Sequence, residues 1–446
     1  MKWIGSAIIM LVLLLHPESC MQSEQPVFRV ILDPGHGGLS MRNKQRNGDR
    51  YDLLSGKYLS FFQEGASYKG IREHVIVYNI SRKVKAILDL CAPGGDFARF
   101  SKILARYTDA EPERIYIAAT LSRGDSSKTE ELKSRENMNG EFRIYDYPGN
   151  DGKIKPGRIS RMNLIKPHLV VSLHLANYCD PAFLGMNPVI VGPYSLMHKG
   201  LLYLQGKRGD RDFFKRSRYT DWFHESNRRG SFGWFLKDTS VYFTSYPNNR
   251  KYRIDATDFK GYRYNMVTWA YRDKDGWEKE ALKHPAGTRF AKNYRDYKPE
   301  GKFWERERTV YEAYRRDGGY EGYGGDNHYA SAEIIRYILY SLDIHDLKHP
   351  HQKLANPYIS TWSVPMHVNA VAAFIELGYL TNKRHRFLLT KKQDEIAEGI
   401  AVGIYSLFAG IKPRKKSLRQ MPRGKKVDLD KYRLKNGKTY FDVVTD

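Results

Sequence analysis

Cysteine is scarce in this chain: 446 residues carry three. One of them, Cys20, follows the N-terminal apolar stretch. The other two, Cys91 and Cys179, cannot build a disulfide framework, and the sequence leaves open whether they pair. No Cys-x-x-Cys pair occurs, which argues against a thiolate zinc site. Residues 7 to 15 are apolar but too few to span a bilayer. Acid is short relative to base: 50 Asp and Glu stand against 74 Lys and Arg, a net charge of +24. That excess implies an anionic partner or surface. No internal repeat is evident.

The start of the chain reads as an export signal. Lys2 gives a positive beginning, Ala7 to Leu15 form the apolar run, and His16 to Ser19 precede Cys20. Ser19-Cys20 reads either as a lipoprotein cleavage site, with the lipid on Cys20, or as part of an ordinary signal. Both readings place the mature chain outside the cytoplasm, in the periplasm or cell envelope. The anionic partner is then a membrane or wall surface. Nucleic acid conflicts with export and finds no motif.

Strand and helix signals alternate, which predicts an α/β fold with a mostly parallel, twisted sheet flanked by helices and a large aromatic-rich insertion. Strands are expected at 27–33, at 115–121 ("IYIAATL"), at 168–176 ("HLVVSLHLA") and at 187–194 ("NPVIVGPY"). The run "NAVAAFIELGYL", 369–380, is nearly continuous in apolar residues, as a strand covered on both faces would be. Val77, Ile80, Val84, Ile87 and Leu88 share one side of a helix over 75–88; further helices are expected at 331–342 and 393–411. The domain reading is an export signal over 1–20, a catalytic unit over 27–194 and 326–411, an insertion over 195–325, and a basic tail over 412–446. The insertion is too long for a loop and holds Trp222, Trp234, Trp269, Trp277 and Trp304. It reads as a small domain, an aromatic platform for sugars, or a lid. The tail is expected to be solvated and mobile.

Sites in open α/β sheets gather beyond the carboxyl ends of parallel strands. Here His36 follows the first strand in "VILDPGHGG", His174 lies near the end of "VVSLHLAN", and Glu376 follows the apolar part of "NAVAAFIELGYL". Glu73 opens the first helix. Singly, each has a bland explanation: a loop histidine, a helix-start acid, a hydrogen-bonded core histidine. Glu376 is the hardest to dismiss, because burying a carboxylate without a partner costs several kcal/mol, roughly. Taken together, two imidazoles and a carboxylate make a His₂Glu zinc set with an open position, and a second carboxylate can serve as general base. Their wide spacing excludes a local His-Glu-x-x-His helix, so the fold must assemble them.

Several segments in order resemble the zinc-dependent N-acetylmuramoyl-L-alanine amidases of the type 3 class: "VILDPGHGG", "GIREHVIVYNISRKVKAIL", "ATLSRGD" with "LKSREN", "ISRMNLIKPHLVVSLHLAN", and "AFIELGYLTN" before the closing helix. The resemblance covers about 27–192 and 328–411. It implies Zn²⁺ held by His36, Glu73 and His174, with Glu376 as the catalytic glutamate. It also implies peptidoglycan as substrate, cut between N-acetylmuramic acid and L-alanine of the stem peptide, and leaves room for a regulatory envelope protein. Asn177 lies three residues after His174, where the family usually has Asn or Asp two residues after. Asp33 or a backbone carbonyl is expected to orient His36. Arg135 and Arg161 match family arginines, although ion pairing explains them equally; His168 and His367 read as surface or capping residues. Gly35, Gly37 and Gly38 are expected to supply the backbone angles that turn His36 inward. Two rival functions remain: a zinc peptidase or carboxypeptidase acting within the stem peptide, and a non-catalytic cell-wall binding protein.

Overall fold

The computed structural model describes residues 26–37, 49–52, 57–60, 64–125, 142–144, 147–149, 151–177, 184–190, 233–237, 240–245, 250–254, 323–347, 352–355, 358–359, 364–366, 368, 370–414 and 418–430. Six strands make the main sheet: β1 (Val27–Pro34), β2 (Tyr116–Leu121), β3 (Leu169–Ala176), β4 (Asn187–Ile190), β5 (Tyr358–Ile359) and β6 (Val371–Tyr379). Their spatial order is β5-β4-β6-β3-β1-β2. β1 runs parallel to β2 and β3, β3 to β6, and β4 to β5; only the β4–β6 join is antiparallel. The sheet is therefore mixed but mostly parallel. Helices lie on both of its faces: α1 (Glu73–Leu88), α2 (Phe97–Leu104), α3 (Arg158–Leu164), α4 (Tyr323–Ile344), α5 (Lys383–Lys391) and α6 (Gln393–Ala409).

Local sequence accounts for these elements. In α1, Ile76, Val77, Ile80, Val84 and Leu88 are buried at steps of three and four, the stripe that a helix lays on a sheet. The helix begins at Glu73, earlier than its apolar pattern shows, with the acid in the favourable first turn. Asp96 caps α2 by accepting the Arg99 N–H at 3.0 Å, and Asn382 caps α5 through the N–H groups of Arg384 and His385. The interior of β3 is buried throughout its apolar run, as expected of a strand covered on both sides.

The two faces of the sheet carry separate cores. Val30, Leu32, Leu173, Leu175, Ala373 and Ile375 belong to one, packed with α1, α4 and α6. Ile31, Val170, Val189, Ala372 and Phe374 belong to the other, with Ile159 and Met162 of α3. On the first face α4 and α6 approach closely because α6 presents glycines. A Cβ on Gly399 would stand 2.5 Å from Ile338 Cα.

The chain beyond α6 departs from the expectation of a mobile tail. Leu418, Met421, Val427 and Leu429 pack against the first core. Glu333, fully buried on α4, accepts the N–H groups of Arg423 and Gly424 at 2.6 and 2.7 Å. The Gln420 side chain bonds both the N–H and the carbonyl of Leu354. A buried carboxylate needs donors, and the tail supplies them from its backbone.

Within the insertion the described residues form three antiparallel strands, Gly233–Lys237, Ser240–Ser245 and Arg250–Ile254, separate from the main sheet. The readings of the insertion as a domain, platform or lid, the export signal, Cys20, Cys179, Arg135 and His367 fall outside the described residues. Cys91 is a free, buried thiol, and burial pushes its pKa up. Among the described residues no helix is long and apolar enough to cross a membrane.

Candidate metal centre

β1 and β3 are neighbours, and their ladder continues one step past β1, where the Gly35 N–H donates to the Leu173 carbonyl at 2.9 Å. His36 comes next with φ +55°. The left-handed conformation expected of the flanking glycines thus falls on the histidine itself, at a cost of about 1–2 kcal/mol. Gly35 has a different task. A Cβ there would stand 2.5 Å from the His174 ring, so its bare backbone makes room for that imidazole. Gly38 lies outside the described residues.

Two buried arginines hold this turn. Arg123 donates to the carbonyls of Pro34, Gly35 and His74 at 2.9, 3.1 and 2.9 Å. Arg158 donates to the carbonyls of Pro34 and His36 at 2.9 and 3.3 Å. Burial, then the neighbouring Arg158, brings the Arg123 guanidinium down to about 9. Asp33 sits beneath them, bonded by Ser122 at 2.6 Å, Ser172 at 2.7 Å and Arg158 at 3.2 Å. Burial alone would raise its pKa; Arg158 and the two hydroxyls outweigh that and lower it. Asp33 thus acts on the His36 turn through Arg158. Asp33 anchors Arg158, and Arg158 reaches the His36 backbone.

Glu73 enters from the start of α1. Its Oε2 accepts the Ala66 N–H at 2.5 Å and its Oε1 the Leu175 N–H at 2.8 Å. The carboxylate is thereby fixed with Oε1 3.5 Å from His36 Nε2 and 3.1 Å from His174 Nδ1. One ligand atom from each of His36, Glu73 and His174 lies within 4.8 Å of the others. The two rings stand 4.9 Å apart at 76°. Burial opposes ionisation of Glu73, but His36 and then His174 overcome it and bring the carboxyl down to about 2. Burial disfavours the charged form of His174, yet Glu73 outweighs it and raises the pKa. Two nitrogens and an ionised oxygen converging in a buried site form a donor set that fits a borderline divalent cation.

Glu376 is in direct register with His174 on the adjoining strand, so both side chains share a face. Its Oε2 is enclosed without a hydrogen-bond partner. Leaving such an atom unpaired costs about 1–3 kcal/mol. Burial raises its pKa to about 8, with His174 opposing and Glu73 adding to the rise. A carboxyl in that state exchanges protons near neutral pH. The structure thus brings the four residues singled out in the sequence to one edge of the sheet.

The remaining residues take structural parts. The Asn177 carbonyl accepts the N–H and hydroxyl of Thr381, and Asn382 caps α5. His168 Nδ1 accepts the Arg29 N–H at 2.9 Å. Arg161 is exposed. Sequence reading missed Arg123, Arg158, Ser172 and Ser122. Ser172 carried a signal, standing two residues before His174 and therefore on its face.

No family description and no curated protein matches this chain. Solved structures that resemble it are N-acetylmuramoyl-L-alanine amidases at low identity. One is the N-acetylmuramyl-L-alanine amidase Ami1 from Mycobacterium smegmatis, 12% identical with TM-score 0.36, covering 84% of this chain and 94% of that one. Another is the N-acetylmuramoyl-L-alanine amidase from Clostridium difficile 630, 11% identical with TM-score 0.30, covering 85% and 96%. A third is the CwlD amidase from Clostridioides difficile in complex with the GerS lipoprotein, 12% identical with TM-score 0.28, covering 84% and 96%.

Proposed function

We propose that this protein is an exported, zinc-dependent N-acetylmuramoyl-L-alanine amidase that cleaves the amide between N-acetylmuramic acid and L-alanine in peptidoglycan. The observation that supports this most is the convergence of His36, Glu73 and His174 beside Glu376, whose Oε2 is buried without a hydrogen-bond partner. The motifs carrying these residues follow the order of the amidase family they resemble.

Zinc, when bound, supplies a Lewis acid and lowers the pKa of water toward neutrality. His36 Nε2, His174 Nδ1 and Glu73 Oε1 would hold it. Glu73 is kept in place by the amides of Ala66 and Leu175, so its oxygen is aimed before any ligand arrives. Glu376 takes a proton from the attacking water. It then gives a proton to the leaving alanine nitrogen, so that the C–N bond breaks to a carboxylic acid and a free amine. Its raised pKa suits both halves of that exchange.

The charge of +24 suits an anionic wall or membrane surface. The protein acts in the periplasm or cell envelope, either free or tethered through Cys20. A regulatory envelope protein is the partner expected in addition to peptidoglycan.

Digestion of purified peptidoglycan with product mass spectrometry, alongside zinc content, tests the reading. Release of intact stem peptides beginning at L-alanine, with about one zinc per chain, is expected. Cleavage inside the stem peptide would make the protein a zinc peptidase instead. Wall binding without released fragments would make it a non-catalytic binder.

A further inference from the structure

We infer that Arg123 is a positioning residue for the metal centre. Its single guanidinium ties the turn that carries His36 to the helix start that carries Glu73, and so sets how these two ligands face each other. The consequence for zinc rests on the amidase reading; the tie itself lies in the backbone geometry.

The tie starts from the sheet. β1 and β2 are parallel neighbours, and the Ser122 N–H extends their ladder by donating to the Leu32 carbonyl at 3.0 Å. Arg123 therefore leaves β2 at the same edge of the sheet where the His36 turn leaves β1. Its side chain is buried. Nε donates to the Pro34 carbonyl at 2.9 Å and Nη1 to the Gly124 carbonyl at 3.1 Å. Nη2 donates twice, to the Gly35 carbonyl at 3.1 Å and to the His74 carbonyl at 2.9 Å. One nitrogen thus joins the residue before the first ligand to the residue after the second. The ring of Tyr78, also on α1, faces the guanidinium at 5.5 Å, so the helix is met at a second point.

Peptide planarity carries this contact to the ligands. The Gly35 carbonyl lies in one rigid plane with the N–H of His36. Arg123 holds that plane, and Arg158, through the His36 carbonyl, holds the next. The relative orientation of the two planes defines φ and ψ of His36, so the arginines together maintain its left-handed φ of +55°. The Arg123 Nη2 also holds the first turn of α1, which begins at Glu73. A guanidinium is a planar fork with fixed donor directions. A displacement of the helix start is therefore passed to the His36 turn.

The chemistry argues against a space-filling part. Taking a charged group out of water is costly, and among the described residues Arg123 donates only to carbonyls. An apolar side chain would fill the volume without that cost, but it would leave the two ligand segments unlinked. A lysine would keep the charge on a flexible stem and lose the fork.

The test uses the full chain as wild type, Arg123→Lys, Arg123→Met and Gly399→Ala, the last a control for lowered stability away from the site. Zinc affinity, measured by competition with a chelator, should weaken about ten- to hundredfold in both Arg123 variants and stay unchanged in the control. The visible spectrum of the Co²⁺-loaded protein reports ligand geometry and should change in the Arg123 variants alone. In zinc-free protein, hydrogen exchange at the Gly35 and Glu73 amides should rise together in those variants. Urea unfolding identifies the folded variants; if Arg123→Met does not fold, Arg123→Lys carries the test. Unchanged zinc affinity and an unchanged Co²⁺ spectrum in a folded Arg123 variant overturn the inference and leave the amidase reading intact. Equal weakening in Gly399→Ala also overturns it, since general stability would then account for the loss. A wild type that takes up neither zinc nor cobalt overturns the amidase reading, while a joint rise in amide exchange leaves the tie standing.

Discussion

The two faces of the sheet solve opposite problems. Towards α1, α4 and α6 the strands present Val30, Leu32, Val171, Leu173, Ala373 and Ile375, with glycines letting helices close on one another. Towards α3 the same strands begin with apolar residues and end with Asp33, Ser172, His174 and Glu376. Alternation within one strand places both sets a residue apart. The difference teaches that stability is concentrated on one side so that the other can hold costly groups. Two buried arginines, an unpaired carboxyl oxygen and a left-handed histidine are tolerated where the chemistry is proposed.

That comparison can be broken or sharpened by experiment. The largest effect is expected from Glu376→Gln. Stem-peptide release should fall by about 10²–10⁴-fold, the usual worth of a general acid–base group, with zinc retained. The melting temperature should change little, since the isosteric amide leaves a polar atom enclosed where the orphaned oxygen stood. A loss of stability would show that Glu376 is structural.

Next comes acid sensitivity on the helix face. His328, on α4, is lowered from its ordinary 6.5 to about 4 by burial, then by Arg336 and by Arg423 of the tail. The unfolded chain therefore binds a proton that the folded chain refuses between those values. Stability from this group is present above pH 6.5 and declines as pH falls towards 4, by up to about 3 kcal/mol. Urea unfolding at pH 7 and pH 4.5 should show that loss, and His328→Gln should reduce it.

Gly399→Ala should cost about 1–3 kcal/mol in urea, because the added methyl meets Ile338 backbone that cannot swing aside. Zinc affinity should not change; a change would mean that the two faces are coupled. The smallest effect is expected on the site face from Gly35→Ala. Displacing the His174 ring should weaken zinc binding by about tenfold, measured by competition with a chelator, with little loss of stability.

The sequence shows why some of this was legible. His36, His174 and Glu376 end apolar runs, and polar atoms at the ends of buried strands stand out from the pattern. Glu73 was visible as the acid opening an amphipathic helix. The bulge in β6, where Glu376 pairs with His174 but Tyr379 with Ala176, had one sign, Gly378, since an isolated glycine within a strand suggests a bulge; the apolar run of "ELGYL" around it hid which pairing was skipped. Consequently neither Tyr379 nor its hydrogen bond to Asn187 could be placed. Arg123 and Arg158 escaped notice because burial of a guanidinium depends on carbonyls supplied by distant turns. The tail misled for a similar reason. Leu418, Met421, Val427 and Leu429 follow no helical or strand period, and the surrounding lysines and arginines mask them.

The docked tail sets a practical boundary for anyone shortening this chain. A cut after Ile411 looks natural, since the last helix has ended. It would strip Glu333 of the Arg423 and Gly424 amides and uncover the groove filled by Leu418 and Met421. A fragment made for crystallisation or assay should therefore run through Asp430, and a C-terminal fusion partner belongs beyond that point.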